Sequence, residues 1–251
     1  MTRYLSPAFR LMLLFTVLLG IVYPLVVTGL CQWWFPRQAN GSLIVRDGHA
    51  IGSSLIGQAF ARPDYFHGRP SSAGAGYDAS ASGASNLGPT SAKLILGAVR
   101  QGSGPHGGAD FDGVSLRVLR YCLSNGIPFT ASEPLERFRT AAGALDAVKL
   151  IEVFNDPYKP LLITPSVPIP ADAVTGSASG LDPDISPANA LEQAPRVARA
   201  RGVTAAQVER LIATHIQPPA FGLLGDARVN VLALNLALDR RFPERPAAGL
   251  Q

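Results

Sequence analysis

The feature that most constrains this chain is an uncharged apolar stretch close to its N-terminus. No Asp, Glu, Lys or Arg occurs between Leu11 and Pro36, and fourteen of the residues 11–30 are Leu, Ile, Val, Phe or Met. About 20 apolar residues are enough to cross the ~30 Å hydrocarbon core of a bilayer as a helix. Residues 11–35 are therefore predicted to form a single transmembrane helix, with residues 1–10 as its leader.

Individual side chains in the stretch fit this interpretation. A proline is tolerated in a membrane helix, because local adjustments re-satisfy the backbone groups that it frees. Trp side chains are enriched at the headgroup level, where the end of this helix is expected. The residues that mark the anchor are Leu11, Leu14, Leu18, Pro24, Trp33 and Trp34.

Two alternatives to a permanent anchor are disfavoured. A cleaved signal peptide has an apolar core of ~7–15 residues and a small-x-small cleavage site, whereas this run is longer and residues 28–31 offer no such site. A lipoprotein signal needs a small residue before the cysteine, but Leu30 precedes Cys31. A buried helix of a soluble core is a weak explanation for so uniform a terminal segment.

The charges around the helix indicate its orientation. Arg3 and Arg10 precede it without an acid among them, while Arg37 and Arg46 follow it and are partly offset by an acid. A basic leader before a first helix favours a cytoplasmic N-terminus. The chain is therefore predicted to be a single-pass protein of the inner (plasma) membrane, with residues 36–251 extracytoplasmic, in the periplasm where an outer membrane exists.

Composition limits the class of the outer part. The chain is 47% hydrophobic and 16% charged, so it can fill a core and is not disordered by composition. The basic residues are scattered rather than clustered with aromatics, which makes nucleic acid an unsuitable partner. Only Cys31 and Cys122 are present, so no disulfide framework is indicated.

Local patterns after the anchor predict a mixed α/β (α+β) domain with few strands. Asp47-Gly48 lies between two apolar runs, which predicts a β-hairpin over 42–56. A further short strand is predicted at 161–163. Residues 71–85 are almost all Ser, Ala and Gly, a composition that forms a flexible linker when the segment stands alone.

Capping signals place the helices of the last third of the chain. Ser186-Pro187 is typical of an N-cap followed by proline at the first helical position, and Gly202 ends that helix. Residues 204–207 fit a capping box. The stretch after Val229 alternates like a strand, but its Asn and Ala residues favour a helix. In chain order, the predicted helices are 90–99, 112–124, 145–154, 186–201, one from 204 onward, and 229–239.

The sequence does not contain a recognisable catalytic motif. The four His residues are far apart, so no metal site is indicated. Residues 176–180 are superficially similar to a nucleophile elbow, but the central residue is Ala178. A membrane-anchored extracytoplasmic hydrolase using Ser177 or Ser179 is kept as the alternative function. A sensor domain is disfavoured, because no cytoplasmic output domain precedes the helix.

Three blocks of short motifs follow one another along the chain. The first joins Tyr23-Pro24-Leu25, Trp34-Phe35-Pro36 and residues 38–42. The second joins residues 52–58, 66–71, Tyr77-Asp78 and 85–90. The third joins residues 170–172, 177–183, 185–187, Gln193, 196–198, 200–202 and 229–235. In this order and number they resemble the KdpC family, the C subunit of the Kdp potassium-transporting P-type ATPase.

The chain departs from that family in two respects. Residues from about 101 to 164 are longer than the corresponding segment of short members, and are interpreted as an insertion typical of long-form members. Asp184 stands where the family usually has His, and Glu192 where it usually has Tyr. Any role of that His or Tyr is therefore not carried over to this chain.

The resemblance implies an accessory, non-catalytic subunit of a high-affinity potassium uptake pump. Its partners would be a channel-like potassium-binding subunit, an ATP-hydrolysing P-type subunit, a very small membrane peptide and the membrane lipid. The subunit would support assembly and stability of the complex and gate the outer potassium entrance. ATP and potassium would be handled by the complex, and this chain is not expected to hold a cofactor of its own.

The resemblance also singles out motif residues of this chain. Gln193 is the residue drawn into a proposal that the family raises the ATP affinity of the pump, and the alternative is an exposed helix glutamine. Gly88 is expected to need a positive φ in the turn of residues 86–90. The motif and interface candidates are Asn86, Leu87, Gly88, Pro89, Thr90, Ser179, Gly180, Asp182, Pro183, Ser186 and Arg196.

Overall fold

The computed structural model describes residues 2–99 and 109–243. The chain divides into two compact units, Met1–Leu55 and Ile56–Gln251. The first contains an apolar helix and a hairpin, and the second is a mixed α/β domain with small sheets of few strands. The predicted fold class is confirmed.

The first unit begins with a helix that is longer than the predicted anchor. It comprises α1 (Thr2–Val17), a π-helical turn (Leu18–Val22) and α2 (Tyr23–Trp34). Its apolar part, Tyr4–Trp34, is 31 residues long and has the length and composition of a membrane span. At 1.5 Å per residue it is about 46 Å long, so it exceeds the hydrocarbon core and extends into the predicted leader.

The π-helical turn lies directly before Pro24. Proline has no N–H to donate to the carbonyl four residues earlier, and its ring collides with that carbonyl. Widening the preceding turn over Leu18–Val22 relieves this clash without interrupting the helix. The helix ends at Phe35 (φ −134°), and Trp33 and Trp34 stack at its end with ring centroids 5.6 Å apart.

The predicted hairpin closes the first unit. After the short helix α3 (Pro36–Ala39), strand β1 (Leu43–Arg46) pairs antiparallel with β2 (His49–Ser53). The turn has positive φ at Asp47 (52°) and Gly48 (79°). This is the backbone that an Asp-Gly hairpin turn requires.

The second unit is built from short elements around two hydrophobic cores. Its helices are α4 (Ala92–Leu96), α5 (Val114–Asn125), α6 (Ala147–Phe154), α7 (Ala171–Val174), α8 (Pro187–Arg201), α9 (Ala205–Ala213) and α10 (Val231–Arg241). Its strands are β3 (Ala98–Val99), β4 (Ala109–Phe111), β5 (Phe129–Ala131), β6 (Ile163–Pro165), β7 (Asp184–Ile185), β8 (Ile216–Gln217) and β9 (Arg228–Asn230). The antiparallel pairs are β3–β4, β5–β6, β7–β9 and β8–β9.

The first core joins the last three long helices to an irregular segment. Val197 of α8, Ile212 of α9 and Leu234 of α10 are fully buried together. Phe66, which belongs to no helix or strand, is buried in the same cluster. The irregular segment 60–70 is therefore part of the core of the domain.

The second core belongs to the middle of the chain. It is formed mainly by α5, α6 and the residues around them, with Leu119 and Leu150 fully buried. Two helices follow their predicted capping: α8 ends at Gly202 (φ 65°), and α9 has the predicted capping box. The helix α5 ends at Gly126, whose φ is 71°.

Three local predictions are wrong. The helix predicted to reach Val99 ends at Leu96, because Gly97 adopts φ 91° and the chain continues as β3. The strand predicted at 161–163 is β6, Ile163–Pro165. In the 86–90 turn the positive φ belongs to Asn86 (53°) and not to Gly88.

Candidate functional site

The most densely bonded site of the second unit is an amide clamp, in which Gln193 of α8 holds the main chain of His67. Oε1 of Gln193 accepts from the His67 N–H at 2.8 Å, and Nε2 donates to the His67 carbonyl at 3.0 Å. Nε2 also donates to Asn189 Oδ1 (2.9 Å), and Oε1 also accepts from Arg196 Nη2 (2.6 Å). A carboxamide offers a donor and an acceptor side by side, which match the N–H and C=O of one residue.

Asn235 of α10 repeats the arrangement one residue earlier. Its Oδ1 accepts from the Phe66 N–H at 2.9 Å, and its Nδ2 donates to the Phe66 carbonyl at 3.0 Å. Two buried amide side chains therefore form the backbone hydrogen bonds of residues 66 and 67 that a neighbouring strand forms in a β-sheet. The backbone groups of residues 66 and 67 are therefore satisfied although they belong to no helix or strand.

Arg196 joins the amide clamp to α5. Its side chain donates to Asn125 Oδ1 (2.9 Å) and to the carbonyls of Pro63 (2.5 Å) and Tyr65 (2.9 Å), in addition to Gln193. Burial lowers the pKa of Arg196 to about 10, so the guanidinium still carries its charge at neutral pH. Four neutral acceptors hold this buried cation in place.

Gln193 is buried, with 1% of its surface exposed. The expectation of an exposed helix glutamine is therefore wrong. An amide side chain has two donor hydrogens and two acceptor lone pairs, and the four hydrogen bonds of Gln193 use all of them. A nucleotide could form hydrogen bonds to this amide only by displacing the main chain of His67 or the side chain of Asn189 or Arg196.

Ser186 caps α8 and connects it to α7. The Ser186 Oγ accepts from Asn189 N (3.1 Å) and donates to Asp172 Oδ1 (2.8 Å), while Asp172 Oδ2 accepts from Ser186 N (2.8 Å). Asn189 in turn accepts from Tyr121 Oη of α5 at 2.9 Å. The N-terminus of α8 is thus fixed to α5 and α7 through polar side chains.

The motif residues around 180 bind the Ser/Ala/Gly segment 71–85. Ser71 Oγ donates to the Gly180 carbonyl at 2.6 Å, and the Ser179 carbonyl accepts from Gly83 N and Ser82 Oγ, each at 2.9 Å. Gly180 has φ 68°, and a Cβ there would lie 2.6 Å from the Gly83 carbonyl. In this fold the segment is therefore held against its neighbour and does not act as a free linker.

Asp182 and Pro183 complete this contact. Asp182 Oδ2 accepts from Arg69 Nη1 at 2.9 Å, in an ion pair with both side chains partly exposed. The Pro183 carbonyl accepts from Val231 N at 2.9 Å, which connects the motif to the start of α10. These family-motif residues join distant parts of the domain.

The residues 86–90 lie apart from that network. Asn86, Gly88, Pro89 and Thr90 are exposed and Leu87 is half-buried. The Gly88 carbonyl accepts from Ser91 N at 3.0 Å, which closes the turn before α4. This turn remains a candidate for contact with a partner.

Comparison with known proteins decides the family. A family model described as "KdpC: K+-transporting ATPase, c chain" matches residues 5–102 and 147–240. The chain belongs to the KdpC family. A potassium-transporting ATPase KdpC subunit of Caulobacter vibrioides is 49% identical over 97% of this chain and 96% of its own length. Those of Mycobacterium bovis and Caulobacter sp. are 46% identical over 96% and 99% of this chain, and over 100% of their own lengths.

Asp184 and Glu192, the two positions expected from the sequence to differ from the family pattern, have different surroundings. Asp184 forms an ion pair with Arg228 at 3.1 Å and accepts from Asn230 at 3.2 Å. Burial raises the pKa of Asp184 despite these partners. Glu192 is half-buried on α8. The family-model match leaves out residues 103–146, which include α5 and therefore the Asn125 and Tyr121 partners of α8.

The serines of the alternative hydrolase do not have the environment of a nucleophile. Ser177 Oγ and Ser179 Oγ lie 3.4 Å apart, and Ser179 Oγ accepts from Leu181 N at 3.1 Å. The Nε2 of His67 and the Nδ1 of His215 are hydrogen-bonded to the carbonyls of Arg62 and Leu211. A serine nucleophile needs an adjacent general base, and the hydrogen bonds of these two serines do not include one.

A cleft of about 270 Å³ opens beside the amide clamp and is lined by Arg69, Arg117 and Arg120 among others. Arg69 pairs with Asp182, and Arg120 pairs with Asp112. Arg117 donates to the Val174 carbonyl at 3.3 Å and lies over the Phe111 ring. Within residues 2–99 and 109–243, no group of three His, Cys, Asp or Glu side chains is placed to hold a metal.

The structure adds one surface that the sequence interpretation missed. Residues 218–225, here called the apolar tip, connect β8 to β9 and expose Phe221, Leu223 and Leu224. The available signal was an uncharged run from Ile216 to Gly225 with two prolines and two glycines. Because such a run lacks helical or strand periodicity, its exposure could not be inferred from pattern alone.

Proposed function

We propose that this chain is the accessory, non-catalytic C subunit of an ATP-driven potassium uptake pump. The observation that carries the proposal is the match, at 49% identity and almost full length, to a protein named as a potassium-transporting ATPase KdpC subunit. The membrane-span length of Tyr4–Trp34 and the absence of an activated serine at 177 or 179 support it.

The proposed partners are a channel-like potassium-binding subunit, a P-type catalytic subunit and a small membrane peptide. In this arrangement the helix crosses the inner membrane with its N-terminus in the cytoplasm, and the second unit lies outside. A domain held on the outer side acts by stabilising the assembly and by biasing the state of the potassium entrance. Direct ATP contact through Gln193 is disfavoured, because its four hydrogen bonds are already used within the fold.

Affinity purification tests the proposal. A tag at the C-terminus of the full chain, expressed from its own locus under potassium limitation, is expected to retain a P-type ATPase and a potassium-binding subunit after mild detergent extraction. The matched control is the same tag on the Leu18→Arg chain, whose charge at mid-span opposes insertion. A wild-type preparation without a P-type ATPase contradicts the proposal.

The orientation is tested separately on whole cells. A cysteine introduced at the exposed position 158 is expected to react with a membrane-impermeant maleimide, in a chain whose Cys31 is replaced by Ser and whose remaining Cys122 is buried. A cysteine at position 4 is expected to react only after lysis. Labelling of position 4 but not 158 in intact cells contradicts the proposed orientation.

A further inference from the structure

Within the described part of the second unit, the apolar tip carries a cluster of exposed large hydrophobic side chains. Phe221 is 96% exposed, Leu223 is 83% exposed and Leu224 is 60% exposed. Scattered single apolar residues are normal on a protein surface, but three within four positions of one turn form a cluster. No residue between Ile216 and Gly225 carries a charge.

This tip has a defined backbone. Ala220 and Leu224 exchange two main-chain hydrogen bonds of 2.9 Å each, and Gly222 N donates to the Pro219 carbonyl at 2.9 Å. These bonds close a tight loop over residues 219–224. The side chains that it carries are presented on a preformed support, and a preformed loop loses less conformational entropy on binding.

The backbone of Phe221 is unusual for its residue type. Its φ is 56°, in the left-handed region that bulky side chains rarely adopt. Glycine or asparagine would occupy the position at lower energy. The fold therefore maintains a strained backbone to project an aromatic ring into solvent. Such outliers concentrate at binding sites, where the strain serves an external contact.

We propose that the apolar tip docks into an apolar pocket of another protein subunit of the pump, with Phe221 as the anchor residue. This inference rests on the proposed function, because it assigns the contact through which the second unit holds its partner. A ring presented on a rigid support and flanked by two leucines has the properties of an interface hot spot.

The charges around the tip favour a protein pocket over a lipid surface. Segments that bind membranes combine apolar side chains with Lys or Arg, which are attracted to anionic lipids. Residues 216–227 contain neither Lys nor Arg, and Asp226 follows the tip. The next cation, Arg228, is already paired with Asp184 at 3.1 Å. The tip therefore lacks the electrostatic attraction that a lipid-binding loop uses.

Photo-crosslinking in the intact complex tests the proposal. A benzophenone amino acid is placed at position 221, and the matched control is the same amino acid at Tyr158, an aromatic residue that is 95% exposed on a different loop. The expected result is a crosslink from position 221 to an identified pump subunit, at least about tenfold stronger than from position 158. Labelling of lipid alone, equal labelling from both positions, or no protein crosslink from 221 overturns the proposal.

A pair of substitutions separates docking from folding. Phe221→Asn keeps a residue that tolerates positive φ, so the full chain in detergent is expected to melt at the same or a higher temperature. The yield of co-purified pump subunits is expected to fall at least about tenfold, the loss typical of a hot spot. Tyr158→Asn is expected to leave both measurements unchanged. Undiminished co-purification by Phe221→Asn overturns the proposal.

The two levels of inference fail in different ways. If no P-type ATPase co-purifies with the wild-type chain, both the proposed function and the docking proposal are refuted. If the wild-type chain and Phe221→Asn retain the pump equally, the proposed function stands and only the docking proposal is refuted.

Discussion

Replacement of Gln193 by leucine provides the sharpest test of the amide clamp. Leucine has a similar volume and fits a helix, so the change removes hydrogen bonds while largely preserving apolar packing. It leaves the N–H and C=O of His67 and one N–H of Arg196 without their partner. Each unsatisfied group costs about 1 kcal/mol or more, and the His67 groups are only partly buried, so we expect a total loss of about 2–4 kcal/mol.

This loss is large compared with the 5–15 kcal/mol that usually stabilises a domain. With a urea dependence of about 2 kcal/mol per M, the unfolding midpoint of the full chain is expected to fall by about 1–2 M. The assay is far-UV circular dichroism in detergent, where the apolar helix contributes a constant background. The matched control is Gln217→Leu at an exposed position, which is expected to change stability by no more than about 0.5 kcal/mol.

The same variant separates the clamp from a nucleotide site. A ligand that binds only the folded chain raises its stability by RT ln(1 + [L]/Kd). Because the Gln193 amide is fully bonded within the fold, millimolar ATP is expected to leave the wild-type midpoint unchanged. The reasoning is refuted if Gln193→Leu unfolds at the wild-type midpoint, or if ATP stabilises the wild type and not the variant.

Three further perturbations test other parts of the chain. Leu18→Arg places a charge at mid-span at a cost of about 2.5–3.5 kcal/mol on insertion scales. The amount of the chain that stays in the membrane fraction after carbonate extraction is therefore expected to fall sharply for Leu18→Arg and to stay unchanged for Leu18→Val. Equal amounts of the two variants in that fraction would argue against the anchor. Asn86→Ala is expected to lower stability by about 1 kcal/mol, because residue 86 has a positive φ. Gly88→Ala is expected to melt like the wild type, because its added Cβ meets nothing within 4 Å. A larger loss of stability in Gly88→Ala than in Asn86→Ala would contradict the turn geometry. Burial and the charge of Arg196 lower the pKa of His67 below 6.5, although its hydrogen bond to a carbonyl raises it. The folded chain therefore binds fewer protons than the unfolded chain, and its stability is expected to fall as the pH is lowered from 6.5 toward the folded-state pKa. His67→Asn should reduce this dependence of stability on pH, and an unchanged dependence would exclude His67 as its source.

Local signals in the sequence were enough to place most helices of the second unit. The N-cap at Ser186, the glycine at 202 and the capping box at Thr204 depend on neighbouring residues only, and the structure confirms each of them. The turn at Asp47-Gly48 is of the same kind. The side chains of Ser186 and Thr204 each satisfy a backbone N–H three positions later, and the glycines supply a positive φ, so each pattern is complete within a short sequence window.

The amide clamp could not be predicted in this way. Gln193 and Asn235 bond residues that are 126 and 169 positions earlier in the chain, within a segment that has no periodicity. A polar residue on a helix is exposed unless a specific partner exists, and the sequence does not indicate that partner. The attachment of residues 71–85 to the domain was missed for the same reason, because the Gly180 and Ser179 carbonyls that bind them lie about 100 positions later.

The attachment of α5 to α8 affects the design of shortened versions of this chain. Asn125 Oδ1 accepts from Arg196 Nε and Tyr121 Oη donates to Asn189 Oδ1, and both Asn125 and Tyr121 lie in the region that the family model omits. Deleting residues 103–146 would remove Asn125 and leave Nε of Arg196 without its acceptor. A shortened chain that joins residue 102 to residue 147 therefore needs another acceptor for this Nε. Trimming this region around the exposed Gly143 leaves the α5 contacts in place and is the more tolerant starting point for miniaturisation.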